Sequence, residues 1–281
     1  TVSGFTGRGL PTGLHGGGGI LVDEVAYDVA GRPLRQRYPA DGNVQRLWSY
    51  APFNQPDNNG GMLTSIVVEK AAVPAALRLL SFDYGYDSFG NLKGQSDTGA
   101  PWVSFTYDAQ NRLTNAYDRT YTYDAAGRLT SYEGSSRSYT GADPVHAVKN
   151  SGYGYDANGN LLQRPGLALV WNVENRLASA TVNGASVESY GYNDAGIRVK
   201  KVSNGVTTYY PFPHYEVQVS DTNVTTTTKY YLFAGQRIAM QRGSEPLTFL
   251  HGDHLNSTVL ATRGGVTSGQ ERYYAYGKDR L

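Results

Sequence analysis

Cysteine is absent from the 281 residues, which excludes a disulfide framework, a thiol nucleophile and a cysteine zinc site. An excess of one charge is lacking as well. Lysine and arginine total 25 against 24 aspartates and glutamates, and a net charge of +1 leaves no electrostatic footprint for nucleic acid or an anionic membrane. No apolar run approaches the roughly 20 residues of a membrane span. Thr1 opens neither a signal peptide nor a methionine start, so the chain reads as a piece of something longer. Helical patterning is scarce too. Its one instance, residues 71–80 (AAVPAALRLL), is short and broken by Pro74, and predicts a bulged loop or a single helical turn.

What the chain has in abundance is tyrosine, 23 of them, and glycine, 34. Both fall into a recurring unit. YDAAGRL from Tyr123 returns as YDVAGRPL from Tyr27, YDSFGNL from Tyr86, YDAQNRL from Tyr107 and YDANGNL from Tyr155, with weaker copies WNVENRL from Trp171 and YNDAGIRV from Tyr192. Alternating aromatic and β-branched residues, such as Phe105 with Tyr107 and Tyr121 with Tyr123, predict a strand arriving at the Tyr. The Asp or Asn that follows accepts hydrogen bonds from amides two residues on, and the Gly or Asn three positions later tolerates the left-handed conformation. The unit therefore predicts a β-hairpin. Tyr107 to Tyr123 and Tyr155 to Trp171 are each 16 residues apart, and Tyr86 to Tyr107 is 21. One repeat is thus two short strands with their turns.

These YDxxGxL units, followed by YYLFAGQRIAMQ from Tyr230 and FLHGDHLNSTVLAT from Phe249, resemble the Rhs, or YD-repeat, family and the core segment that ends its repeat array. The resemblance runs from Tyr27 to Tyr276, and Asn256 departs from it where the family usually has Gly. The expected fold is all-β: tandem hairpins forming a long curled sheet, part of a spiral, hollow cocoon. On strand arithmetic about 26 strands at ~4.8 Å would make a sheet ~120 Å wide, too wide to stay open and flat. The alternative folds are a β-propeller or a sandwich, but the spacings do not group as blades. The expected segments are a Gly-rich lead-in at 1–19, read as a loop or frayed edge; the hairpin array at 20–229; and the core-like segment at 230–281. The last ends before any autoproteolytic motif of the family. The resemblance implies a structural shell that encapsulates and helps deliver a C-terminal toxin or effector, on secreted or cell-surface proteins. Cut sheet edges predict capping by loops or self-association.

Chemistry is sparse by comparison. His251, Asp253 and His254 are the candidates for metal ligation or proton transfer, but on a strand 251 and 253 face one side and 254 the other unless Gly252 bends the chain. The favoured reading gives them structural hydrogen bonds. Asp28, Asp87, Asp108, Asp124 and Asp156 lack the spacing of a calcium loop and are assigned to the turns, with Gly31, Gly90, Gly127 and Gly159 at the left-handed position. No serine lies in a GxSxG elbow. No cofactor, metal or enzymatic activity is expected. The competing function is binding of a cell-surface glycan or receptor through exposed tyrosines.

Overall fold

A computed structural model describes residues 2–16, 19–55, 60–71, 77–132, 134–141 and 144–280. Its repeating element is clearest at Asp124. Strands Thr122–Tyr123 and Leu129–Tyr132 pair antiparallel with a register shift between Thr122 and Tyr123. The shift follows from Gly127, whose φ of 79° places a left-handed residue after a type I turn and makes the three-residue hairpin loop with a bulge. Asp124 closes the loop on itself: its N–H donates to the Arg128 carbonyl (3.0 Å), and its carbonyl accepts from Gly127 N–H (3.0 Å). Its carboxylate accepts from Ala126 N–H (3.0 Å), Arg128 N–H (2.9 Å) and Arg128 Nε (2.6 Å).

The same two backbone bonds recur at Asp28, Asp87, Asp108, Asp156, Asn172 and Asn193, the copies visible in the sequence. They also recur at Thr6, Ser220, Asp253 and Tyr274. The fourth residue of each of these turns has positive φ, and where it is not Gly it is Asn: Asn111, Asn175, Asn223 and Asn256. Asn256 therefore does the work of the family's Gly, because Asn tolerates that conformation better than other side chains.

Strands follow one another antiparallel in chain order within four sheets, of nine, three, three and thirteen strands, 28 among the described residues. The fold is all-β and built of tandem hairpins, as the repeats predict. Two local expectations are corrected. The Gly-rich lead-in is not a loop: Val2–Phe5 and Pro11–Gly16 form a hairpin around the Thr6 turn, and Pro11–Gly16 pairs onward with Gly19–Tyr27. Backbone entropy lost by the glycines is offset by the cross-strand bonds and by burial of Leu14. In 71–80, residues 77–80 open the strand Leu77–Tyr86 rather than a loop or turn, with Leu80 fully buried; residues 72–76 lie outside the described set. The last strand is Val266–Gln270, and Tyr273 makes only an isolated bridge to Asp279.

Compact units do not follow the segments 1–19, 20–229 and 230–281. Thr1–Asp118 and Tyr230–Leu281 form one unit, Arg119–Lys229 the other. In the first, Leu21, Val22, Tyr38, Val44, Ile66, Val68, Leu80 and Phe82 from the early strands pack with Phe233, Ile238, Ala239, Phe249, Val259 and Leu260 from the late ones. The Val, Leu, Ile and Phe side chains among them each contribute about 1.5–3 kcal/mol on full burial. In the second unit, only Tyr121, Ala180, Thr208 and Thr228 are buried among the described residues. There aromatics, most of them from the repeat, act as stitches. Tyr192 Oη donates to the Leu177 carbonyl (2.8 Å), Trp171 Nε1 to Leu161 (2.8 Å) and Tyr139 Oη to Leu129 (2.8 Å). Each acceptor belongs to the residue that starts the previous return strand. In the first unit, Tyr27 reaches Pro11 (2.6 Å) and Tyr107 reaches Leu92 (2.9 Å) in the same way. Polar side chains tie neighbouring turns as well: Asn91 Nδ2 donates to Asn111 Oδ1 (2.9 Å), and Arg176 Nη1 to the Asn193 carbonyl (3.2 Å).

Candidate functional site

Within the first unit, residues 249–280 dock on residues 38–97 through buried polar groups, and this seam holds the histidines singled out in the sequence. Pro39–Asp41 is a single 3-10 turn ended by Gly42 in the left-handed conformation, φ 65°. A Cβ on Gly42 would stand 2.8 Å from the Gly264 carbonyl oxygen, so only glycine allows this approach. It brings Asp41, fully buried, against the strand Thr258–Arg263 and its turn. Thr262 Oγ1 donates to Asp41 Oδ2, and Gly265 N–H donates to Asp41 Oδ1 (3.1 Å). Thr262 Oγ1 also lies 2.8 Å from His251 Nε2. Because the single hydroxyl proton goes to Asp41, the histidine donates from Nε2 and its Nδ1 is bare.

Burial decides the ionisation of this chain of groups. It pushes His251 down to about 3, with Arg46 adding repulsion, so the ring is neutral at pH 7. It pushes Asp41 up, against the hydrogen bonds from Thr262 and Gly265. Tyr38, edge-on to both Phe249 (5.5 Å) and His251 (5.2 Å), is pushed up to about 12. Two arginines complete the seam. Arg46 donates from Nη2 to the Gly252 carbonyl (2.8 Å) and lies over the Trp48 ring (4.6 Å). Arg272, 4% exposed, grips Asp97 with Nε and Nη2 and donates from Nη1 to the Val259 carbonyl (2.9 Å). A two-pronged guanidinium–carboxylate contact fixes orientation as well as charge.

His251, Asp253 and His254 are adjacent in sequence but divided by function. The register shifts between His251 and Gly252, sending His251 into the core. Asp253 holds its turn, accepting from Leu255 N–H (2.8 Å) and Ser257 N–H (2.9 Å), as Asp124 does. His254 rests on the Tyr84 ring (centroids 4.8 Å). No group of three metal-ligating side chains occurs among the described residues. The turn aspartates are likewise occupied. Amide hydrogen bonds, from Arg112 to Asp108 and from Arg128 to Asp124, are the leading cause holding those carboxyls below the usual range, and for Asp156 the Asn160 side chain leads.

Asp41, Arg46, Asp97 and Arg272 are the seam residues that sequence reading missed. Asp41-Gly42 has the composition of a turn, and nothing in the neighbouring residues announces a partner 221 positions away. Asp253 was legible: Asp-x-x-Asn, as in Asp108 to Asn111. Beneath the 253–258 turn lies a cavity of about 560 Å³, walled by rings that include Phe105, Tyr107, Tyr117 and Tyr273.

Comparison with known proteins gives three findings. The profile of the Teneurin YD-shell family matches residues 64–277. Two curated relatives, the tRNA3(Ser)-specific nuclease WapA of Bacillus spizizenii and the tRNA nuclease WapA of Bacillus subtilis, are each 27% identical over 69% of this chain. The chain spans 7% of their length. Among solved structures, a Photorhabdus luminescens Tc holotoxin pore with mutated TccC3 and a TcdB2-TccC3-Cdc42 complex each superpose with a TM-score of 0.75 at 20% identity. Both matches cover 99% of this chain and 17% of the other.

Proposed function

This chain belongs to the Teneurin YD-shell family and has a structural, shell-forming role, and we propose that it is a section of wall that encloses a C-terminal toxin or effector polypeptide of its parent protein. The reading is carried by one observation: the repeat's chemically active groups are consumed in holding hairpin to hairpin. Aspartates cap turns, tyrosine hydroxyls bind the preceding repeat, and buried acids and histidines pin the seam. A wall so built acts by steric enclosure. It needs no cofactor and performs no reaction, and its parent is exported or displayed at the cell surface. The outermost strands, Val2–Phe5 and Val266–Gln270, the latter exposed at every residue, are where it would join further wall or a second copy.

The test uses the full-length parent. Limited proteolysis is expected to spare the downstream polypeptide while the shell is intact and to degrade it once the shell is opened by denaturant. Equal cleavage with and without the shell would end the enclosure reading. A second reading, recognition of a glycan or receptor, draws on Trp102, Tyr209 and Tyr276, which are 46%, 43% and 45% exposed. A reproducible hit on a glycan array, abolished by Trp102→Ala, would move the function there.

A further inference from the structure

We propose that a second cavity of the first unit, beside Arg46, binds a small oxyanion, a carboxylate or a phosphate group, between the guanidinium groups of Arg46 and Arg237. Two arginines are buried among the described residues, and only one has a counter-charge. Arg272, 4% exposed, is matched by the Asp97 carboxylate that it grips with two nitrogens. Arg46, 5% exposed, makes no ion pair among the described residues. Its contacts are neutral groups, the Gly252 carbonyl (2.8 Å) and the Trp48 ring (4.6 Å). Burial works against its charged form, and the groups whose charge reaches it are Tyr38, Tyr84, Asp253 and Tyr50. The three tyrosines are uncharged at pH 7, because burial raises each of them above its usual range. Asp253 stands outside ion-pair reach and has one carboxylate oxygen held by the Leu255 and Ser257 amides (2.8 and 2.9 Å). A guanidinium does not shed its proton, and a buried charge without a paired partner is costly.

The cavity measures about 330 Å³ and Arg46 lines it. Arg237, Gln236, Asn256 and Thr258 supply further donors, Ile238 and Leu250 an apolar wall, and no acidic residue is among its lining. A two-residue turn at Ala234 and Gly235, both left-handed (φ 48° and 79°), places the strand Gln236–Arg242 at its edge. Arg237 lies over the Tyr230 ring (4.1 Å), and Gln236 Nε2 donates to Asn256 Oδ1 (2.9 Å), so the Asn256 amide group keeps its N–H donors. Arg237, Gln236 and Asn256 are exposed, which leaves the site open to solvent. A cation is repelled by such a lining, and a neutral ligand leaves Arg46 uncompensated. An oxyanion accepts from both guanidiniums in charge-assisted bonds. The volume leaves room for the small organic body that carries it, against Ile238 and Leu250. Bound there, the anion ties strand Val44–Tyr50 to strand Gln236–Arg242, early chain to late, whether or not the wall encloses a cargo.

Inorganic phosphate and acetate are the probes, each titrated into the intact chain at constant ionic strength with chloride as the balancing anion. The indole N–H NMR signals of the three tryptophans, Trp48, Trp102 and Trp171, are followed. Because Arg46 lies over the Trp48 ring, a saturable shift confined to Trp48 is expected from at least one probe, with a melting temperature that rises with its concentration. The tighter probe tells a phosphate source from a carboxylate. Arg46→Met should abolish the shift, and Arg237→Gln should weaken binding about tenfold by removing one charge-assisted contact. Should Arg46→Met fail to fold by circular dichroism, Arg237→Gln, an exposed substitution, carries the test alone. Absence of a saturable Trp48 shift with both probes overturns the proposal. So does a shift that the folded variants leave unchanged, or one shared by all three indoles, either of which is a general effect of salt.

Discussion

Residues 1–118 with 230–281 and residues 119–229 are built from the same hairpin and held together by different physics. In the first unit, two sets of strands cover each other and a core of fully buried side chains forms between them, from Leu21 and Val44 to Phe249 and Leu260. In the second, strand Leu167–Trp171 alternates half-buried and exposed residues, and Val170 and Val173 are 57% and 100% exposed. Its cohesion comes from local bonds: a capped turn, a tyrosine reaching back one repeat, an arginine over a ring such as Arg198 over Tyr210 (4.9 Å). A hairpin repeat can therefore propagate a wall without a core, but an anchored unit requires a second layer of chain.

Cutting into that core should have the largest effect. Phe249→Ala is expected to cost about 3–5 kcal/mol in denaturant unfolding, because the cavity left among Tyr38 and its neighbours cannot collapse. Leu177→Ala, in the second unit, should cost clearly less. Equal losses would erase the distinction between the units. Comparable in size is the buried pair of the seam. Arg272→Met alone should cost about 3–5 kcal/mol by stranding Asp97, while Arg272→Met combined with Asp97→Leu should recover much of it. A double change as damaging as the sum of the two single ones would show that the pair is not coupled.

Acid offers a graded version of the same comparison. His251 titrates near 6.5 when unfolded and at about 3 when folded, so the stability it lends is complete above 6.5 and is lost as pH falls from there toward 3. The slope approaches about 1.4 kcal/mol per pH unit. Asp41, with its folded value raised, works in the opposite sense, adding stability as pH falls toward its unfolded value. The first unit should therefore weaken between pH 6 and 4.5, and His251→Gln, which still donates to Thr262, should flatten that slope. An unchanged slope in the variant assigns the acid sensitivity elsewhere.

The smallest effects belong to the repeats. Tyr192→Phe removes one hydrogen bond to Leu177 and is expected to cost about 1 kcal/mol, with faster hydrogen exchange confined to the 177–198 hairpin. Asp124→Asn should lower the melting temperature less than Asp124→Ala does, since Asn172 and Asn193 already cap equivalent turns. If Asp124→Asn is as harmful as Asp124→Ala, the carboxylate charge matters beyond the cap.

The turn was readable from the residues because its causes are local. Asp124 bonds amides two and four positions on, and Gly127 supplies the left-handed residue, so seven short segments carry the whole instruction. Thr6 and Tyr274 escaped the pattern because the backbone bonds of this loop do not depend on the first side chain, and a hydroxyl or a ring can stand where Asp usually does. The histidine cluster was read as structural, but its separate partners were not legible. Three ionisable residues within four positions invite a shared role, yet a bulge at Gly252 sends them to three different surroundings.

The residues alone were enough to determine an all-β hairpin chain, the place of most of its turns and the direction of its strands, because each depends on contacts within about six positions. Only the tertiary structure decided that Asp41 would meet Thr262, Arg46 the Gly252 carbonyl and Asp97 Arg272. Those meetings join parts of the chain 175 to 221 residues apart. A buried charge or hydroxyl gains its value from a partner that local sequence does not specify, and only the return of the late strands onto the early ones supplies it.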